Sequence, residues 1–351
     1  MTRGRTDDIN YMDEHKSAGA CTRCTEHQAA VLATPGKREC QSCFITGVGK
    51  KFKGNIRTKC GVRSQSILIG FSGGTASRCL VDLVAKAIDG EGRRKMKFRV
   101  GVAFINQSVL WDSGEENKLL VDFVRKQMSL YSQFEQFSVL ESDFDPKVYE
   151  QIKNNDDLMH AFLQAERYRK LAEIAVKEGF DMVLLGSTCD RLAVDAFCNI
   201  SAGRGFAAPE YASWTCERFG VRFGLPIKDC SAKDVAMYCF FEKLDSMSSM
   251  KFHPQEGLFP SVYSLTQSVI SNLQSKFCNT IPNVMRTMEK LVLPNHDSRK
   301  CRFCGEPISH MDVEFYSSIE KEIFSMTAEP ESKLEVNKDM CFYCFENFRF
   351  Q

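Results

Sequence analysis

Short apolar runs alternate with stretches of helical spacing through the middle of the chain. SILIGF (66–71) is an apolar run that ends in glycines. Leu80, Val84, Ala87 and Ile88 follow at helical spacing. FRVGVAF (98–104) predicts the next strand, Leu119 to Met128 a helix, and Phe137 to Leu140 a third strand. The pattern from Leu158 to Glu178 predicts a long helix closed by Gly179. DMVLLGS (181–187) and RFGLPI (222–227) read as further strands, the latter followed by a helix from about Ala232 to Leu244. Strands alternating with helices imply a mostly parallel sheet covered on both faces, with ligands beyond the carboxyl ends of its strands.

The flanks read differently. Residues 1–60 carry little hydrophobic periodicity, so a bound metal would do part of the work of a core. After Met250 a loop leads into one helix that is expected to reach about Leu291. The expected organisation is an N-terminal module (1–60), an α/β core (61–250) and a C-terminal helical and cysteine-bearing region (251–351). No run of 18 apolar residues exists and the N-terminus lacks an apolar signal region, so an intracellular protein without a membrane span is expected. The net charge of +1 decides nothing, but its distribution does. Residues 1–66 hold twelve Lys/Arg against six Asp/Glu, whereas residues 301–351 hold five against ten. The amino-terminal part is the one suited to phosphates.

Eight of the sixteen cysteines fall in four CxxC pairs, a metal signature in a reducing compartment. Cys21, Cys24, Cys40 and Cys43 form CxxC-x15-CxxC, close to zinc-ribbon spacing; two such knuckles supply four soft ligands to one tetrahedral zinc. His27 is a substitute ligand or a surface histidine. Cys301, Cys304, Cys341 and Cys344 form CxxC-x36-CxxC and predict a second zinc. Redox thiols, or knuckles joined to other cysteines such as Cys278, are the alternatives.

GFSGGTAS (70–77) stands between a strand and a helix. Ser72, Gly73, Gly74 and Ser77 form a loop whose backbone and hydroxyls can meet a phosphate at a helix N-terminus. It is neither a Walker A loop nor GxGxxG, and a tight turn without ligand is the alternative. The strand running into SGG, with Ser77 three residues after Gly74, resembles the PP-loop of ATP pyrophosphatases, whose pattern is SGGxDS. With cysteine pairs at both ends, LLGSTCDRLAVDAFCNISAGRG (184–205) and PIKDCSAKDVAMYCFFEKLD (226–245), most of the chain from Cys21 to Cys344 resembles the cytoplasmic tRNA 2-thiolation proteins, and among them the non-catalytic partner subunits.

The resemblance implies a PP-loop ATP pyrophosphatase-like (adenine nucleotide alpha hydrolase-like) parallel sheet with zinc modules at both ends. It also implies a cytoplasmic heterodimer with a catalytic thiolase subunit, which 2-thiolates the wobble uridine of lysine, glutamine and glutamate tRNAs. Sulfur would come from a thiocarboxylated ubiquitin-like carrier. Two departures mark the partner subunit. Ala76 replaces the aspartate of SGGxDS, which speaks against ATP binding with its Mg²⁺, and segment 139–166 lacks the core CxxC of catalytic members. No catalytic residue is therefore expected. Gly186 is followed by Ser187 instead of His, and Asp190 is a polar site residue or a cap.

Candidate RNA contacts are Lys50, Lys51, Lys53, Arg57, Lys59 and Arg63 in a basic linker, together with Arg204 in a Gly-flanked turn. Phe44 and Phe52 stack on an unpaired base or form the small module's core. Arg167, Arg169 and Lys170 on the long helix face tRNA or solvent; Arg93, Arg94, Lys95 and Lys97 read as a solvated loop. A zinc-dependent RNA-binding adaptor and an active ATP-dependent tRNA sulfurtransferase are the competing functions.

Overall fold

The computed structural model describes residues 19–34, 36–63, 65–90, 99–107, 114–141, 146–247, 261–291, 299–309 and 339–348, with 312, 314 and 318 besides. The run from Arg93 to Lys97 lies outside them. The first elements among the described residues are a short hairpin, β1 (Val31–Thr34) and β2 (Lys37–Glu39), and then α1 (Gln41–Thr58). The core alternates β3 (Ile67–Gly70), α2 (Thr75–Ile88), β4 (Val100–Asn106), α3 (Glu115–Ser129) and β5 (Gln136–Glu141). It continues through α4 (Pro146–Ile152), α5 (Asp156–Glu178), β6 (Met182–Leu185), α6 (Cys189–Ser201) and α7 (Ala208–Ala212). Strands β7 (Thr215–Arg218) and β8 (Val221–Gly224) precede α8 (Ala232–Phe241), and α9 (Val262–Lys276), α10 (Thr280–Lys290) and α11 (Phe342–Phe348) follow.

The six-stranded sheet has the order β5-β4-β3-β6-β8-β7, parallel except for the edge pair β7/β8. The chain builds outward from β3 to β5 and then returns to β6 on the other side of β3. That reversal leaves a crevice between the carboxyl ends of β3 and β6, where ligands bind in open α/β sheets.

Alternation along the strands sorts side chains to two faces. Ile67, Ile69, Val102 and Leu184 pack with α2 and α8, while Leu68, Ala103, Val183 and Phe223 pack with Leu171, Ala172 and Ala175 of α5. Helix α5 begins where Asn155 accepts from the N–H groups of Asp157 and Leu158, and ends at Gly179 in the left-handed conformation. Ser231 and Asp234 form a reciprocal capping box at the start of α8.

Three elements depart from the sequence reading. The basic "linker" is the amphipathic helix α1, whose Phe44, Val48, Phe52 and Ile56 are buried at four-residue spacing. Gly47, Gly49 and Gly54 lower its intrinsic propensity and hide the period. Burying those four side chains contributes roughly 6–12 kcal/mol of gross transfer free energy. Both phenylalanines are thus core, 3% and 2% exposed. The single helix expected up to Leu291 is two, α9 and α10, broken at Phe277–Asn279. The strand at RFGLPI belongs to a hairpin, because Phe219 and Gly220 both take positive φ and turn β7 onto β8.

Candidate functional site

A cavity of about 440 Å³ occupies the crevice between β3 and β6. Phe71, Ser72, Gly74, Thr75, Ala76 and Ser77 line it where β3 runs into α2, and Gly186, Ser187 and Thr188 where β6 runs into α6. The glycine loop is held from within: the Ser77 hydroxyl donates to Gly74 O (2.9 Å) and accepts from Ser72 N (3.3 Å). Its outer edge is fixed by Met247 N donating to Gly73 O (2.9 Å). Arg78, 1% exposed, anchors that flap through Nε to Asp245 O (2.9 Å) and also donates to Tyr131 Oη (3.2 Å). Gly186 is required because a Cβ there would stand 2.6 Å from Ala76 O. The N-cap of α2 is Gly74, which supplies no side-chain cap. Asp190 acts as a cap on the neighbouring helix, its Oδ2 accepting from Ala232 N at 2.6 Å.

The cavity's charged wall was only partly foreseen. Arg167 lies in it and donates to Gln107 Oε1 (2.8 Å); burial and the nearby Arg191 charge push its pKa down to about 10. Arg191 donates from Nε to both oxygens of Asp195 (3.0 and 3.1 Å) and from Nη2 to His160 Nε2 (2.9 Å). Burial, then Arg191 and Arg167, depress His160 to about 3, so its ring is neutral and accepts. Burial raises the pKa of Asp195. Arg191 and Asp195 are an i,i+4 pair on α6, a signal present in the sequence and overlooked because that helix was not assigned. Arg169 instead pairs with Glu166, and Lys170 with Glu173.

Each cysteine set closes into one cluster with all four sulfurs within 4.8 Å of one another. Four sulfurs 2.3 Å from a shared tetrahedral zinc stand about 3.8 Å apart. Cys24 and Cys40 are 3.8 Å apart at Sγ, and Cys304 and Cys341 3.9 Å. The two sites therefore fit zinc. In each, the first CxxC pair forms a knuckle: Thr25 N donates to Cys21 O (2.9 Å) and Gly305 N to Cys301 O (2.8 Å), both residues with positive φ. His27 lies beside Cys24 (Nδ1 to Sγ 3.5 Å) but outside the quartet. Cys278 stands apart from both quartets. Among the described residues no other cluster of three or more Cys, His, Asp or Glu ligands occurs, so Cys60, Cys79, Cys189, Cys198, Cys216, Cys230 and Cys239 form no metal cage there.

The C-terminal knuckle is seated on the core by buried charge. Glu306, 2% exposed, accepts from Tyr211 Oη (2.5 Å) and Arg218 Nη2 (3.2 Å). Lys300 reaches Glu210 (2.5 Å). Arg204, expected as an RNA contact, is turned toward this seat: its side chain is 13% exposed, its guanidinium 3.6 Å from Glu306 and 4.4 Å from the Tyr343 ring centroid. A glycine-flanked arginine looks mobile in sequence, yet this one is the inner strut of the module.

A sequence model of the family described as cytoplasmic tRNA 2-thiolation protein 2 matches residues 261–345. The protein of that name from Oryza sativa subsp. indica is 26% identical over 293 residues, covering 77% of this chain and 62% of that protein. The one from Dictyostelium discoideum is 25% identical over 304 residues, covering 81% and 57%. Residues 261–345 thus match the cytoplasmic tRNA 2-thiolation protein 2 family, and over the longer alignments the chain is similar to proteins of that name. It spans less than two thirds of the length of these two relatives. Among solved structures, the U34-tRNA thiolase NcsA from Methanococcus maripaludis, determined with its 4Fe-4S cluster, superposes with a TM-score of 0.62 at 16% identity, covering 86% of this chain and 96% of that one. At that identity the likeness establishes the fold, a PP-loop ATP pyrophosphatase-like sheet. The family model meets α9, α10 and the second cysteine cluster, while the superposition covers most of the chain.

Among the described residues no helix is long and apolar enough to cross a membrane. On α1, Lys50, Lys53 and Arg57 fall opposite the buried stripe and form one basic ridge. Lys51 stands aside from it, bonded to Asp229 (Nζ to O 2.7 Å). Lys59 and Arg63 are exposed just beyond the helix.

Proposed function

We propose that this chain is the non-catalytic partner subunit of a cytoplasmic PP-loop tRNA thiolase. It would support a catalytic subunit that 2-thiolates the wobble uridine of lysine, glutamine and glutamate tRNAs, with sulfur from a thiocarboxylated ubiquitin-like carrier. The observation that carries this reading is a thiolase-like fold whose switch-point loop has lost its carboxylate. Ala76 occupies the loop position, and no cysteine cage lies near the cavity among the described residues. The names of the relatives support the same reading.

In this reading Ser72, Gly73, Gly74 and Ser77 are kept as a phosphate-facing loop without the metal chemistry of phosphoryl or adenylyl transfer. Residues 1–60 and 251–351 are metal-stabilised flanks on the 61–250 core. The ridge of Lys50, Lys53 and Arg57, extended by Lys59 and Arg63, faces tRNA phosphates, with Lys51 at its margin. The test is tRNA 2-thiolation by the purified chain alone, by the catalytic subunit alone, and by both. Thiolation that requires the mixture, and that weakens with Lys50, Lys53 and Arg57 all changed to Gln, is the expected result. Thiolation by this chain alone would overturn the proposal.

A further inference from the structure

We propose that Trp214 is a stacking platform for an unpaired RNA base, placed at the carboxyl-terminal end of the basic ridge on α1. The inference rests on the reading of that ridge as a phosphate-binding surface and adds to it a contact made to a base.

Trp214 stands immediately before β7 and is only half-buried. Its backbone is held from two sides: Trp214 O accepts from Leu225 N (3.0 Å) and from the Cys60 thiol (3.7 Å). Leu225 follows β8 and Cys60 lies two residues past the end of α1, so the hairpin and the helix end meet at this residue. A broad ring on a fixed main chain loses little freedom when a ligand settles on it. Phe44 and Phe52, the aromatics of α1 itself, are buried and cannot serve.

Two ammonium groups flank the ring, and they differ. Lys228 Nζ lies 4.7 Å from the ring centroid, but Lys228 is 3% exposed and its charge is paired with Glu289 (2.8 Å). Lys59 Nζ lies over the ring at 6.0 Å, the outer limit of a cation–π contact. Lys59 is exposed and has no carboxylate partner among the described residues. The buried ammonium belongs to the interior, and the exposed one is available to a phosphate. From Lys59 the ridge runs back through Arg57 and Lys53 to Lys50, about 14 Å at helical rise. A strand whose phosphates follow these side chains brings its next base to Trp214. That base must be unpaired, because a base inside a duplex already has both faces stacked on its neighbours.

The chain has two tryptophans, so Trp111→Phe leaves Trp214 as the single reporter. Fluorescence of that variant is followed while single-stranded oligoadenylate of about ten nucleotides is added, and again with duplex RNA of the same length. Saturable quenching by the single strand, with little change on binding duplex, is expected. Binding by further variants is read from the anisotropy of a labelled strand. Trp214→Leu should weaken single-strand binding at least about fivefold at every salt concentration and leave its salt dependence unchanged, because stacking releases no counterions. Trp214→Phe should recover most of the loss. Lys50, Lys53 and Arg57 all changed to Gln should instead lower the salt slope. Should Trp214→Leu fail to fold by circular dichroism, the quenching decides the matter. Single-strand binding that leaves Trp214 fluorescence unmoved, equal quenching by duplex, or a folded Trp214→Leu that binds as well as the parent would each overturn this inference and leave the ridge standing. Absence of saturable RNA binding would overturn the ridge reading as well.

Discussion

Glu306 is the residue whose removal should report most directly on how the C-terminal cysteine module is held. It follows Cys304 by two positions and enters the core fully buried, against Arg218 (3% exposed), Tyr211 and Arg204. Glu306→Ala removes the anion and leaves two guanidiniums inside. Glu210, 3.7 Å from Arg218, is already shared with Lys300 and compensates weakly. Breaking a buried ion pair by deleting one partner costs about 3–5 kcal/mol. Most of that cost is stranded charge and not lost attraction. A Glu306→Leu/Arg218→Met double variant should therefore be more stable than Glu306→Ala, although it lacks both charges. Urea unfolding of the zinc-loaded chain measures the difference. Hydrogen exchange at Cys301 and Gly305, whose N–H groups close the knuckle, shows whether the loss is local to the module. A loss below about 1 kcal/mol for Glu306→Ala, or a double variant weaker than the single one, would refute the reasoning.

Elemental analysis should find two zinc ions per chain, and Cys304→Ser should leave one while preserving the N-terminal site. His160 should make stability fall with acidification: its folded pKa of about 3 lies below the unfolded value, so between roughly pH 6.5 and 3 the unfolded state binds the extra proton. Thermal melting across that range should lose part of its acid sensitivity in His160→Gln, and an unchanged profile would contradict the neutral, Arg191-facing ring.

The α/β alternation, the glycine loop and both cysteine quartets could be read from the chain because each is written locally. Hydrophobic period, a strand running into SGG, and CxxC spacing all lie within a few residues, and Asp156–Glu178 carries its own stop in Gly179. Helix α1 was obscured by local composition, since three glycines and a run of lysines mask a stripe that only burial against the sheet's helices makes visible.

What tertiary structure alone decided is the pairing of charges far apart in sequence. Arg167 and Arg191 line one cavity because β6 returns beside β3 and brings α5 and α6 to one crevice. Arg204 turns inward because Glu306, 102 residues later, is placed beneath it by the metal knuckle. The identity of a side chain fixes its charge, but whether that charge faces phosphate, a carboxylate or another guanidinium depends on which distant segment shares its low-dielectric surroundings. Local pattern carries no information about that neighbour.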